Sequence, residues 1–171
     1  MSYCFECGAL LTTKWRRDDG NVPFCTSCHM YRYPMFNVAV SVEVLDSSQE
    51  KMILIQQYGK KSNVLVAGYI NLGESAEHAL IREVKEELGL DVVSYEFNKT
   101  KYYEKSNTLM INFSCTVNST DLSNMNHKEV DYAKWYTLEE VKEEIKSGSL
   151  AEEFFLEFMQ KRNKNRFLDK R

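Results

Sequence analysis

The stretch GYINLGESAEHALIREVKEELGL, residues 68–90, sets Glu74, Glu83, Glu86 and Glu87 around one predicted helix. Glu83 lies three residues from Glu86 and four from Glu87, so helical geometry gathers three carboxylates into one patch. In an isolated helix, like charges at the four-residue spacing cost about 0.2–0.5 kcal/mol per pair. The bland reading is a solvated Glu/Lys face whose repulsion Arg82 and Lys85 soften. The chemical reading is a cation site, because clustered carboxylates are hard oxygen ligands that suit Mg²⁺ or Mn²⁺. Such a cation acidifies a bound water and stabilises charge on a leaving oxygen. His78, in the same stretch, reads as a surface histidine.

A second constellation lies at the other end of the chain. Cys4, Cys7, Cys25 and Cys28 form two C-x2-C pairs with 17 residues between them, the spacing of a zinc ribbon. Four thiolates close a tetrahedral shell and leave no open position for water, so a structural Zn²⁺ is expected, and His29 is not needed as a ligand. A disulfide staple or two redox dithiols is the alternative. Cys115, inside the apolar run LMINFSCTV, reads as a core cysteine.

The elements that must hold these groups follow from periodicity. FNVAVSVEVLD alternates apolar and polar residues and KMILIQQY follows a turn, giving a hairpin. NVLVAGYI is a further strand. SAEHALIREVKEEL has helical spacing, with Ala76, Ala79, Leu80, Val84 and Leu88 on the face opposite the acids and Gly89 as the C-cap. DVVSYEFNKTKYYEKS, TLMINFSCTVN and EVDYAKWYT read as strands of a mixed sheet. Thr137 three residues before Glu140 makes a capping box ahead of a helix, and LAEEFFLEFMQKRN is a second helix with Leu150, Phe154, Phe155 and Phe158 on one side. The aromatic stripe reads as core, with partner binding as the alternative. The Tyr33-Pro34 break divides a ribbon over 1–34 from a main domain over 35–171.

The 171 residues suit such a division, and 43% hydrophobic content fits a folded core. A net charge of -3 carries no bulk signal for nucleic acid. The basic C-terminus KRNKNRFLDKR reads as a solvated helix end rather than a nucleic-acid contact. No run of 18 apolar residues exists, and MSYCFECG lacks the features of a signal peptide, so no membrane association and a cytoplasmic location are expected.

Residues 68–90 match at every position the pattern G-x5-E-x7-R-E-U-x-E-E-x-G-U, with U aliphatic, and so strongly resemble the Nudix hydrolase box. The resemblance implies an α+β fold, an α/β/α sandwich with a mixed sheet behind the four-cysteine ribbon. It implies hydrolysis of the diphosphate bond of a nucleoside diphosphate linked to another moiety, a small-molecule substrate. Glu83, Glu86 and Glu87 are then expected to hold Mg²⁺ or Mn²⁺, with the Ala67 carbonyl as a further ligand and Arg82 orienting the carboxylates. Glu74, Gly68 and Gly89 take positioning roles. Homodimers are frequent in the family.

The ribbon, YRYP after Cys28, LVAG at the box entry and EVDYAKWY together resemble the NADH pyrophosphatase branch. In that branch Glu129 corresponds to an additional acid that binds metal or acts as general base; an exposed strand-start glutamate is the plain alternative. The branch's SQPWPFPxS segment is replaced by TKYYEKSNT, residues 100–108, so its dinucleotide specificity does not carry over. NAD(H)- or ADP-ribose-like compounds remain first among substrates. Tyr102 or Tyr103 is positioned either to stack on a ring or to serve as an ordinary strand aromatic. Asn71 also replaces a glutamate common between the two box glycines. The second functional reading is a non-catalytic module binding a nucleotide or RNA end.

Overall fold

In the computed structural model, which describes residues 2–168, the chain divides into two units, Met1–Phe36 and Asn37–Arg171. The first is a three-stranded antiparallel sheet, β1 (Thr12–Arg16), β2 (Gly20–Cys25) and β3 (Met30–Tyr31), in the order β1-β2-β3. Its buried apolar side chains among the described residues are Cys4, Val22 and Cys25. So small a core cannot stabilise a unit of this size by burial alone.

The second unit runs β4 (Asn37–Leu45), β5 (Lys51–Gln56), β6 (Val66–Tyr69), α1 (Ala76–Leu88), β7 (Val92–Tyr103), β8 (Thr108–Val117), β9 (Tyr132–Thr137), α2 (Leu138–Glu144) and α3 (Leu150–Leu168). Its sheet has the order β7-β8-β4-β5-β9, with β6 paired to β4. The β4–β8 pair is parallel and the others are antiparallel, so the sheet is mixed. Each face carries a core. On one, Val40, Val42, Val44, Ile53, Ile55 and Phe113 pack against Leu80, Val84 and Leu88 of α1. On the other, Leu45, Met52 and Leu54 meet Val141 and Ile145 together with Phe154, Phe155 and Phe158 of α3. The aromatic stripe is therefore packing, and the three layers are the α/β/α sandwich expected.

Helix ends follow the local chemistry. Ser75 caps α1 by accepting from the His78 backbone N–H, and Gly89 ends it in the left-handed region at φ 73°, its N–H reaching the Lys85 carbonyl. The Thr137–Glu140 capping box opens α2. The helix α3 extends five residues past the segment that the periodicity marked. The last residues of the basic tail, 169–171, lie outside the described residues. No helix among those described is long and apolar enough to cross a membrane.

Two expectations need correction. EVDYAKWYT does not form a strand throughout: β9 starts at Tyr132, and Glu129 sits in a turn whose backbone N–H groups, from Glu129 and Val130, return to the Asn126 carbonyl. Likewise the alternation of FNVAVSVEVLD does not leave Ser41 and Glu43 in water. Ser41 is 4% exposed and Glu43 fully buried, because α3 covers that side of the sheet. Glu43 accepts hydrogen bonds from Asn112 at 3.0 Å and Asn98 at 3.1 Å.

Burial pushes the Glu43 carboxyl up to about 8, against the pull of those amides. The folded state thus keeps a proton that the unfolded chain releases above its ordinary carboxylate range. Stability then falls as pH rises through the window between that range and about 8. We expect Glu43→Gln to flatten this slope, so that its stability relative to wild type improves from pH 5 to pH 9. Urea unfolding across that range measures the effect, whose size is on the order of a few kcal/mol.

Candidate metal centres and active site

The acidic site is built where α1 crosses β6. Arg82 is its hub: Nε and Nη2 grip both oxygens of Glu74 at 2.8 and 2.9 Å. Nη1 reaches Glu83 Oε1 at 2.7 Å and Glu86 Oε2 at 3.0 Å, while Nη2 also donates to the Tyr69 carbonyl at 3.0 Å. Five acceptors on three elements fix this guanidinium, and a planar fork of donors is what such an arrangement needs. The paired guanidinium brings the Glu74 carboxyl down to about 2. Glu74 also accepts from the backbone N–H of Asn71, the position where a glutamate is commoner.

Glu83 and Glu87 are the buried acids, at 8% and 3% exposure, whereas Glu86 is exposed. Glu83 stands above Gly68 so closely that a Cβ there would lie 1.9 Å from its carboxyl carbon. Burial raises the Glu83 pKa; Arg82 partly offsets this and the charges of Glu86 and Glu129 add to it. Burial likewise pushes Glu87 up to about 8, with the charges of Glu83, Glu129 and Glu86 acting in the same direction. Glu87 Oε1 accepts from Gln57 Nε2 at 2.6 Å. Its other oxygen, Oε2, is buried without a hydrogen-bond partner among the described residues. A buried carboxylate oxygen left without a donor is costly unless a cation or proton meets it.

The structure thus gathers Gly68, Glu74, Arg82, Glu83, Glu86 and Glu87, and the field of Glu129 reaches Glu83 and Glu87 from an exposed turn. Ala67, on β6, pairs with Ser41. Tyr102 and Tyr103 end β7; Tyr102 is exposed and donates to Asn107 Oδ1 at 2.6 Å, and Tyr103 is half-buried opposite Thr108. His78 is exposed. Sequence reading missed Gln57, which meets Glu87 across 30 positions of chain and belongs to no local pattern.

In the ribbon, the Sγ atoms of Cys4, Cys7, Cys25 and Cys28 all lie within 4.8 Å of one another. The Cys7–Cys25 and Cys4–Cys28 separations are 3.5 and 3.9 Å. Zn–S bonds of about 2.3 Å would give tetrahedron edges of about 3.8 Å, so the quartet fits that ion. This is the one group of three or more metal-ligating side chains drawn so tightly together among the described residues. Arg32, 6% exposed, was also invisible in the sequence pattern; its Nε donates to Cys4 Sγ at 3.2 Å. Although burial opposes it, the backbone N–H groups of Cys7 and Glu6 with Arg32 bring the Cys4 thiol down to about 6.

Residues 35–157 match the family model of the NUDIX domain, which is most of the chain. The chain belongs to the Nudix family. This Nudix chain is 31% identical over 136 residues to the mouse mitochondrial NAD(P)H pyrophosphatase NUDT13, covering 77% of this chain and 38% of that protein. It is 25% identical over 137 residues to the NAD-capped RNA hydrolase NudC of Pseudomonas aeruginosa, covering 80% and 48%. The chain therefore spans about half or less of the length of these relatives. Among solved structures, a Nudix hydrolase of Nitrosomonas europaea superposes with TM-score 0.65 over 95% of this chain and 93% of that one, at 18% identity. That likeness concerns the fold.

Proposed function

We propose that this Nudix chain is a metal-dependent pyrophosphohydrolase that cleaves the diphosphate bond of a nucleoside diphosphate linked to another moiety, with NAD(H)- and ADP-ribose-like compounds first among its substrates. The observation that carries the reading is Glu87, a buried carboxylate with one oxygen anchored and the other without a partner among the described residues, beside Glu83 and Glu86 on the same helix. The names of the two relatives point to substrates of the same class.

Glu83, Glu86 and Glu87 would hold Mg²⁺ or Mn²⁺, with the Ala67 carbonyl and Glu129 as further ligands. When bound, the cation supplies charge neutralisation for a diphosphate and acidifies a water. Arg82 orients Glu83 and Glu86 by gripping one oxygen of each, and Glu74 in turn holds Arg82. Gly68 lets the β6 backbone run against the Glu83 carboxyl. Either Glu83 or Glu129 takes the proton of the attacking water; Glu129, exposed in its turn, has direct access to solvent. Tyr102 is the side chain we assign to ring stacking, since it is the more exposed of the pair. In the ribbon, Cys4, Cys7, Cys25 and Cys28 would hold one structural Zn²⁺.

A panel of dinucleotides and nucleoside diphosphate sugars, incubated with Mg²⁺ or Mn²⁺ and resolved by product, tests the proposal. Glu87→Gln is expected to lower kcat/KM by more than the roughly 10- to 100-fold that losing an outer-shell partner costs. Turnover unchanged in both Glu86→Gln and Glu87→Gln would sink the proposed site.

A further inference from the structure

We propose that Gln57 is a positioning residue of the acidic site, its side-chain amide holding Glu87 so that one carboxylate oxygen is kept available to a divalent cation. The inference rests on the metal-dependent reading above and extends it to a residue outside the box. Gln57 follows β5 directly, and its Nε2 meets Glu87 Oε1 at 2.6 Å, a short contact consistent with a charged acceptor. A carboxylate on a glutamate turns freely about its last bond unless something fixes it. At 3% exposure Glu87 has little water to do so, and the Gln57 amide is the donor that does.

The backbone on either side of Gln57 is itself anchored. Asp131 donates its backbone N–H to the Gln56 carbonyl at 2.8 Å, and the Gly59 N–H returns to Asp131 Oδ2 at 2.7 Å. Between them the chain turns through Tyr58 at φ 58° and Gly59 at φ 68°, closed by the Lys60 N–H on the Gln57 carbonyl. From the other direction the Asn126 N–H meets the Glu87 carbonyl at 3.0 Å. The loop after β5 and the segment carrying Glu129 are thus tied to the same end of α1 as Glu87.

The residue type matters as much as the contact. A neutral amide donates without cancelling the charge of Glu87, whereas lysine would neutralise it and compete with a cation, and glutamate would add repulsion. Only the amide nitrogen can face the carboxylate, so the orientation of Gln57 is dictated by its partner.

The test measures Mn²⁺ affinity by the electron paramagnetic resonance signal of free Mn²⁺, on the full chain. Gln57→Met, which keeps length and removes the donor, is expected to weaken binding about tenfold, the scale of an outer-shell loss. Its thermal midpoint should match wild type, and kcat at saturating Mn²⁺ should change less than the Mn²⁺ concentration that gives half-maximal rate. Gln57→Ala should repeat the loss, and adding Gln57→Met to Glu87→Gln should weaken binding no further. Affinity within twofold of wild type in both single variants, while Glu87→Gln binds weakly, overturns the role of Gln57 and leaves the acidic site standing. Wild-type protein that binds no Mn²⁺ at millimolar concentration overturns both.

Discussion

Gly68→Ala is expected to remove most activity while leaving the protein folded. The added Cβ would lie 1.9 Å from both the carboxyl carbon and Oε1 of Glu83, inside any real contact distance. The atom in its way ends a flexible side chain, so the relief is for the Glu83 carboxyl to swing aside. That movement breaks the 2.7 Å bond to Arg82 and displaces a carboxylate assigned to the cation. Misplacing a catalytic group by about 1 Å costs on the order of 10²-fold in rate, whereas one extra methyl in a packed site costs typically about 1–3 kcal/mol of stability.

Gly89→Ala is the informative control. There the Cβ would meet the backbone of Asn124 at 2.7 Å, and the position lies in the left-handed region at φ 73°. Backbone cannot swing away as a carboxylate can, so the loss should appear in the thermal midpoint rather than in kcat/KM per folded molecule. Steady-state rates and thermal melts on the two variants separate the cases. A Gly68→Ala protein with wild-type kcat/KM refutes the placement of Glu83 at the reacting centre.

The contrast between these glycines marks what was legible in the chain. Both are spelled out by the box, and Gly89 was also legible as the C-cap of α1, because caps and helical spacing act over a few residues, whereas the Ser75 N-cap emerged with the structure. The Thr137–Glu140 box was equally plain. What escaped was set by distant segments. KMILIQ is apolar on both faces because α1 and α3 cover opposite sides of the sheet, and the same covering buries Glu43 in a strand that alternates apolar and polar residues. The parallel β4–β8 pairing joins residues about seventy positions apart, such as Asn37 and Thr108, with no local signature. Gln57 and Arg32 belong with these: each is an ordinary polar residue until the fold sets it beside Glu87 or Cys4.

Loss of the zinc proposed for the ribbon is the second large effect expected, and its target is a different part of the chain. Total metal analysis should give near one zinc per chain, falling toward none in Cys25→Ser. Cys25 is wholly buried and its sulfur also accepts the backbone N–H of Cys28 at 3.3 Å, so it has both a ligand's place and a fold-closing contact. The unit over Met1–Phe36 has too few buried apolar side chains to fold without help. Structural zinc contributes about 10–16 kcal/mol of apparent binding energy in zinc-finger peptides, enough to decide whether such a unit folds at all. The unit over Asn37–Arg171 has its own two cores and should keep its melting transition. Limited proteolysis of Cys25→Ser should therefore cut within residues 1–36 and spare the rest. Cys115→Ser, altering a cysteine that packs in the main core, should leave zinc content at wild-type level. Reduced, intact wild-type protein that carries no zinc and resists proteolysis over residues 1–36 would show that the four sulfurs close the ribbon without a metal.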